Sequence, residues 1–346
     1  MADHIGMTQR VASLRRARRR GRARLVAALL ALAALATLAT LMTGPTLTTP
    51  GELLRILAGH DVPGAGFAVR DLRLPRAALS ILAGMSFGLG GVIFQTLLRN
   101  PLASPDIIGI SAGASAAAVF AIVILGWSGT AVSVTAVIAA MAVALLIYLL
   151  AWRDGVSGAR LILVGIGLSA MLDSMIAYVV ARAPAWTMQD AMRWLTGSVN
   201  GATLGDALPV LLSLLVFGSL LLARRGNLDA MRLGDDTAAA LGVPLGPEKA
   251  LAVLAAVGLI AVATAVSGPI AFVAFLSGPI ARRIAGPGPA PLVPAALIGA
   301  LLVLLGDYIG QHMLATRFPV GVVTGVLGAP YLIYLIVRSN RASRET

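Results

Sequence analysis

Ten apolar runs, most of them close to the length needed to cross a bilayer, constrain this chain more than any other feature. The first is Leu25 to Met42, about 18 apolar or near-apolar residues, enough for a span. Further runs lie at about 74–98, 106–126, 130–152, 160–181, 204–223, 250–267, 271–284, 290–310 and 321–337. Only 12% of the 346 residues are charged and the mean hydropathy is +0.90. A soluble domain carries about 25% charged residues. The expected class is therefore an all-α polytopic membrane protein. Residues 1–24 form a basic cytoplasmic segment, 25–338 a transmembrane domain and 339–346 a cytoplasmic tail.

An even number of spans puts both termini on one side, and the arginines choose which. Eight precede the first run: Arg10, Arg15, Arg16, Arg18, Arg19, Arg20, Arg22 and Arg24. With the N-terminus inside, 20 of the 27 Lys and Arg lie inside, among them Arg99, Arg153, Arg224, Arg225, Lys249 and Arg344. Seven lie outside: Arg55, Arg70, Arg73, Arg76, Arg182, Arg193 and Arg317. This is the positive-inside bias, and it predicts N-in and C-in. The first run exceeds the usual h-region of a cleaved signal peptide, so it reads as an uncleaved first helix. The net charge of +12 does not point to nucleic acid, because no stacking aromatics are interleaved with the arginines.

Several chemistries are excluded or weakened. The absence of cysteine rules out disulfides and thiolate metal sites. His4, His60 and His312 are far apart in sequence. No Gly-x-x-x-x-Gly-Lys-Ser/Thr loop occurs, so any ATP hydrolysis belongs to another chain. No Ser/His/Asp set converges in sequence to suggest a membrane hydrolase.

The stretch from Leu72 to Ser115 holds the densest information. Pro75 suits the first turn of a helix. Pro101 and Pro105 end it near Asn100. Ser104 is placed to cap the next helix, with Pro105 at its first position and Asp106 against its positive end. Gly84, Gly88 and Gly91 stripe the first of these helices. Small residues at such spacing let helix backbones approach inside a membrane. Arg73 and Arg76 sit at the outer start of that helix, where the dipole disfavours cations by about 0.3–1 kcal/mol each. They also run against the charge bias, so a compensating acid is expected, with Asp71 or a lipid phosphate as the local alternatives.

Other places stand out. Gly165, Ser169 and Asp173 lie four apart on one helix. An ionisable group in hydrocarbon costs about 2.5–3.5 kcal/mol on insertion scales, so Asp173 should face water, a partner charge or a protein interface. Gly51 to Gly59 is either a short surface helix or a plain connector. The long inside loop Arg224 to Lys249 should fold as two short helices, the second starting after Gly234 at Asp235 and Asp236 and ending at Gly242.

RLPR at 73–76, GVIFQTLLRNPLASPDIIGISAGAS at 91–115, WLTGS at 194–198, LGDDTAAALGV at 233–243 and PVGVV at 319–323 occur in one order. Together they resemble the FecCD-type permeases, the membrane subunits of ABC importers for iron-siderophores, haem and cobalamin. The resemblance runs from about Leu72 to Val337; the first 40 residues add nothing. It implies a cobalamin-permease-like fold and a transport subunit that is not an enzyme. It binds no cofactor of its own, and ATP and magnesium act on two copies of a partner ATPase. A second permease and an extracytoplasmic siderophore-binding protein complete the implied assembly.

The resemblance also implies roles. Asn100, Pro101 and Leu102 fall at the cytoplasmic gate. Gly234, Asp235, Asp236, Ala238, Leu241 and Gly242 fall in the segment that the ATPase grips. Arg73 and Arg76 receive acidic residues of the binding protein. The helix with Gly165, Ser169 and Asp173 lines the path. Three departures are visible. Gly278-Pro279 stands where the family usually has Pro-His. Gln311 replaces a common arginine, which suits a pair of two different permeases. Arg317 stands where an acid is common. AWRDG at 151–155, RLILVGIG at 160–167 and Gln311 look most like the ferric-enterobactin branch. Haem or cobalamin cargo stays open, as does a proton-coupled secondary transporter with Asp173 as carrier.

Overall fold

A computed structural model describes residues 2–106, 108–151 and 158–342, with side chains from Arg16 to Leu335 and at Val337. Ile107, the Trp152 to Gly155 part of AWRDG, and Arg344 lie outside the described residues. All regular structure in the described part is helical. In chain order the helices are α1 (Ala2–Met42), α2 (Pro50–Leu57), α3 (Leu74–Leu97), α4 (Ile110–Val123), α5 (Thr130–Ala151), α6 (Gly158–Ala181) and α7 (Ala185–Leu195). They continue with α8 (Leu204–Ser213), α9 (Ser219–Ala223), α10 (Arg225–Met231), α11 (Asp235–Ala240), α12 (Leu245–Ser267), α13 (Val273–Ala285), α14 (Leu292–His312) and α15 (Val320–Ala342). Wider π-type turns join Ala68–Arg73 onto α3 and Leu214–Gly218 between α8 and α9.

Seven segments are long and apolar enough to cross a membrane, and Ile110–Val123 and Val320–Leu335 are shorter apolar helices. The remaining expected span, 271–284, the eighth in chain order, is the 13-residue α13. It is preceded by a turn that holds Phe272 at φ 65°, a left-handed conformation rare for a bulky side chain. Pro279 lies inside α13 and does not end it. The basic segment and the first span form one helix, α1, of 41 residues. At 1.5 Å per residue that is about 60 Å, twice the hydrocarbon thickness. Its arginine-bearing part therefore extends beyond the bilayer.

α3 stands at the centre, against α14, α12 and α13. The glycine stripe is what permits this. A Cβ on Gly84 would overlap the carbonyl of Gly299 in α14, and one on Gly88 the carbonyl of Ala295. On Gly91 it would overlap the carbonyl of Ala274 in α13. Backbone thus meets backbone along α3, which is where dispersion and packing drive association in lipid. α1 flanks α14 on one side, while α4, α5 and α6 pack together on the other. α2 is a helix, not a plain connector. Thr49 caps it, Glu52 returns the bond, and Leu53 and Ile56 are buried beneath.

The fourth helix starts later than its sequence predicts. Ser104 does not cap it: the Ser104 hydroxyl takes the Asp106 N–H at 3.3 Å, and the Ser111 hydroxyl donates to Asp106 at 2.6 Å. Gly109 at φ 94° then turns the chain into α4. A left-handed residue cannot belong to a continuous helix, so Gly109 separates the polar Ser104 to Asp106 turn from α4.

Candidate functional site

At the inner face, α10 and α11 fold as the two short helices the sequence predicts. Gly234, at φ 116°, sets the turn between them, and Gly242, at φ 84°, ends α11. The Val243 N–H donates to the Ala238 carbonyl at 3.0 Å and closes that end. Leu228, Met231, Ala238 and Val243 are buried underneath. Leu233 and Leu241 project instead, 67% and 64% exposed. Two large apolar side chains on a firmly seated polar loop have the form of an anchor for a partner groove. Asp236 is exposed beside them.

Asp235 does something the sequence did not reveal. It accepts a hydrogen bond from Lys249 Nζ at 2.6 Å and lies 3.8 Å from the Arg99 guanidinium. Arg99 is the residue at which α3 turns into the Asn100 to Leu102 corner, in a left-handed conformation at φ 49°. The Leu102 N–H donates to the Asn100 side chain at 2.9 Å, and the Asn100 N–H to the Gln95 carbonyl at 3.2 Å. One carboxylate therefore ties α11, the foot of α12 and the exit of α3 together. Arg224 and the buried Glu248 form a second tie nearby at 2.9 Å.

Gln95 was also missed. It is buried among α3, α12 and α13, and its amide donates to the Phe275 carbonyl at 3.0 Å. Arg282 donates to its side-chain oxygen. Gly278 leaves the room: a Cβ there would overlap the Gln95 amide. The Gly278-Pro279 departure is thus filled by a polar side chain from another helix. The only sequence sign was a glutamine inside an apolar run.

At the outer face, Arg76 finds an acid within the chain and Arg73 finds carbonyls. The acid for Arg76 is Asp307 of α14, held by two bonds of 2.6 Å, with Asn200 on the remaining arm at 3.0 Å. Asp307 is 2% exposed. Arg73 has no acid. It is buried and donates to the carbonyls of Leu41 and Thr46 and to the Thr48 hydroxyl at 2.8–3.1 Å. It pins the chain leaving α1 onto the start of α3. The WLTGS loop packs here too: the Ser198 N–H donates to Ser267 at 2.7 Å and the Gly321 N–H to Gly197 at 3.1 Å. It borders an outer cavity of about 790 Å3 lined by Trp127, Trp194, Asp190 and Asn200. Gln311 and Arg317 are at the same face, half-buried and exposed respectively.

Gly165, Ser169 and Asp173 do not share one environment. Four residues turn a helix by about 400°, so a stripe at this spacing drifts. Gly165 is buried against the Ile108 backbone, and Ser169 approaches Gly109 while bonding back to the Gly165 carbonyl at 2.8 Å. Both are packing residues. Asp173 is exposed on α6. Among the described residues no three His, Asp or Glu stand together as a metal site.

Comparison with known proteins places these features in a family. Residues 30–338 match the FecCD transport family. The chain is 39% identical over 302 residues to the ferric enterobactin transport system permease protein FepG of Escherichia coli K12, covering 86% of this chain and 91% of that one. It is 35% identical over 278 residues to FepD, a ferric enterobactin permease protein of the same organism, covering 79% and 83%. Its fold superposes on a metal-chelate type ABC transporter solved in an inward-facing conformation, with TM-score 0.79 at 24% identity, covering 91% of this chain and 98% of that one. The chain belongs to the FecCD transport family and is a multi-pass membrane transport subunit.

Proposed function

We propose that this chain is one permease of an ATP-driven importer of ferric siderophores in a bacterial cytoplasmic membrane. The observation that carries the reading is the inner tie. A loop with two exposed leucines on a buried base is linked through Asp235 to Arg99 at the hinge beside Asn100, Pro101 and Leu102. A partner pressing on Leu233 and Leu241 moves that hinge without an intervening flexible segment. Two copies of a cytoplasmic ATPase are the partner this suits. The siderophore cargo rests on the relatives named above.

The assembly needs a second permease, because one chain with a closely packed centre offers no wide path. The sparsely covered faces of α5 and α6 are where it would sit, with Asp173 facing the path. A different permease suits the Gln311 substitution. A binding protein would dock outside, on the face that Arg73 and Arg76 hold in shape. In this reading Arg76 offers only the arm shared with Asn200, and Arg73 acts from beneath.

The test is uptake of iron-labelled enterobactin, hydroxamate and citrate chelates by a strain lacking this chain, complemented with wild type or with Leu233→Asp and Leu241→Asp together. Wild type should restore uptake of one chelate, and the double variant should remain in the membrane without restoring it. Uptake of haem or cobalamin alone would replace the cargo. Uptake that survives depletion of ATP but not of the proton gradient would sink the importer reading.

A further inference from the structure

A groove lies at the cytoplasmic edge of the molecule, away from both the inner tie and the outer face. It is formed by α1, the end of α9 with the start of α10, and the turn from α13 to α14, and encloses about 530 Å3. Arg22 and Arg225 stand at its mouth, and Val26, Leu30, Leu222 and Val293 form its wall.

The two arginines are unusual in their surroundings. Glu248 is taken by Arg224, and Asp229 by Arg232 and the Ala290 N–H. Neither Arg22 nor Arg225 has a hydrogen-bonding or acidic partner among the described residues. Arg22 is half-buried all the same, at the groove. Arg22, whose guanidinium lies against Gly288, and Arg225 both line the groove; two such cations repel unless an anion joins them, and a phosphate suits their forked geometry.

Depth identifies the kind of anion. The apolar run of α1 begins at Leu25, three residues above Arg22, or about 4.5 Å along the helix. Arg225 opens α10, two residues past the end of α9. Both therefore stand at headgroup level. Leu30 is eight residues above Arg22, about 12 Å deeper into the hydrocarbon. Leu30, Leu222 and Val293 are 52%, 40% and 40% exposed, so the wall opens sideways, toward acyl chains and not toward cytoplasm. A free phosphate would use the arginines but not the wall.

We infer that this groove binds one anionic phospholipid of the cytoplasmic leaflet, its phosphate between Arg22 and Arg225 and its acyl chains along Val26, Leu30, Leu222 and Val293. Basic pockets between membrane helices on the cytoplasmic side take such headgroups. The site is independent of the cargo and of the transport reading.

The test uses the full chain, purified from nanodiscs containing phosphatidylglycerol, exchanged into detergent and weighed by native mass spectrometry. Wild type should retain one phosphatidylglycerol. Arg22→Gln with Arg225→Gln should retain at least tenfold less, and so should Leu30→Trp with Val293→Trp, which fills the wall and leaves the arginines. Arg16→Gln with Arg20→Gln removes the same charge from the exposed part of α1 and should behave as wild type. Should the first pair fail to fold, Arg225→Gln alone carries the test, because that residue is exposed. Equal retention by wild type and the Arg22/Arg225 variant overturns the proposal. So does equal loss in the Arg16/Arg20 variant, which would mean diffuse charge. Thermal protection by inorganic phosphate equal to that by the lipid would reduce the site to a simple anion site and also overturn it.

Discussion

α3 and α6 are twins by composition and opposites by position. Each helix has 24 residues. The apolar segments that contain them share a mean hydropathy of 1.9, yet 78% of the α3 window is buried and only 11% of the α6 window. Hydropathy thus reports that a helix enters the bilayer and says nothing about whether lipid or protein surrounds it. What separates the two is how many small residues meet other backbones. Three α3 glycines lie against Gly299, Ala295 and Ala274, whereas α6 makes one such contact, Gly165 against Ile108, and its Gly167 has nothing within 4 Å of where a Cβ would be.

The most severe way to break this contrast is to add a side chain on each helix. Gly84→Leu should prevent stable assembly, because the obstacle is backbone and overpacking costs about 1–3 kcal/mol even where side chains can yield. Gly167→Leu should leave membrane level and thermal unfolding unchanged. Comparable loss in both, read by detergent-phase thermal unfolding, would show that burial does not separate the helices.

Next comes the seam between α3 and α14. Removing one partner of a buried ion pair costs about 3–5 kcal/mol, whereas apolar replacement of both is often neutral. Arg76→Met or Asp307→Leu alone should lower the unfolding temperature sharply, and the double variant should recover most of it. Full stability in either single variant would mean the pair is not held as described. A double variant that is stable but loses binding-protein association would restore an external role for Arg76.

A smaller effect on stability is expected at the inner tie. Exposed ion pairs contribute about 0.2–1 kcal/mol, so Asp235→Asn should barely change unfolding while lowering uptake severalfold. Uptake equal to wild type would separate the loop from the hinge. Asp173→Asn on α6 should leave stability unchanged within about 0.5 kcal/mol, since none of the described residues pairs with it, and should change uptake only if that face borders the path.

The smallest effect concerns pH. The backbone and hydroxyl of Thr49 hold the Glu52 carboxylate below its ordinary value. A folded value that is lowered gives stabilisation present above the unfolded carboxylate range, near 4.3. It is lost as pH falls through the lowered folded value. Hydrogen exchange over residues 50–57 should therefore be slow at pH 7 and faster near pH 3 after correction for intrinsic rates, and Glu52→Gln should flatten the difference. An unchanged profile in Glu52→Gln would remove the cap from the account.

Much of the fold could be read from the chain because its signals are local. The glycine stripe of α3, the break at Pro101, the two short helices around Gly234 and the lengths of the long spans all follow from spacing within one segment. The site was less legible because its contacts join distant segments. Arg76 and Asp307 are 231 positions apart, and Gln95 and Arg282 are 187 apart. The dipole argument gives Arg73 the need of an acid, but the Leu41 and Thr46 carbonyls and the Thr48 hydroxyl satisfy it instead. Gly165, Ser169 and Asp173 share a spacing but not an environment, since a step of four overshoots a helical turn.

The reciprocal contact of Gly84 with Gly299 also has a mechanical consequence. Side chains can slide and repack, but two main chains in direct contact have little slack between them. The α3 and α14 pair is the keel of the molecule: stiff, and unable to open without coming apart. The helices around that keel, and not the keel itself, are left to carry any alternation between inward and outward shapes.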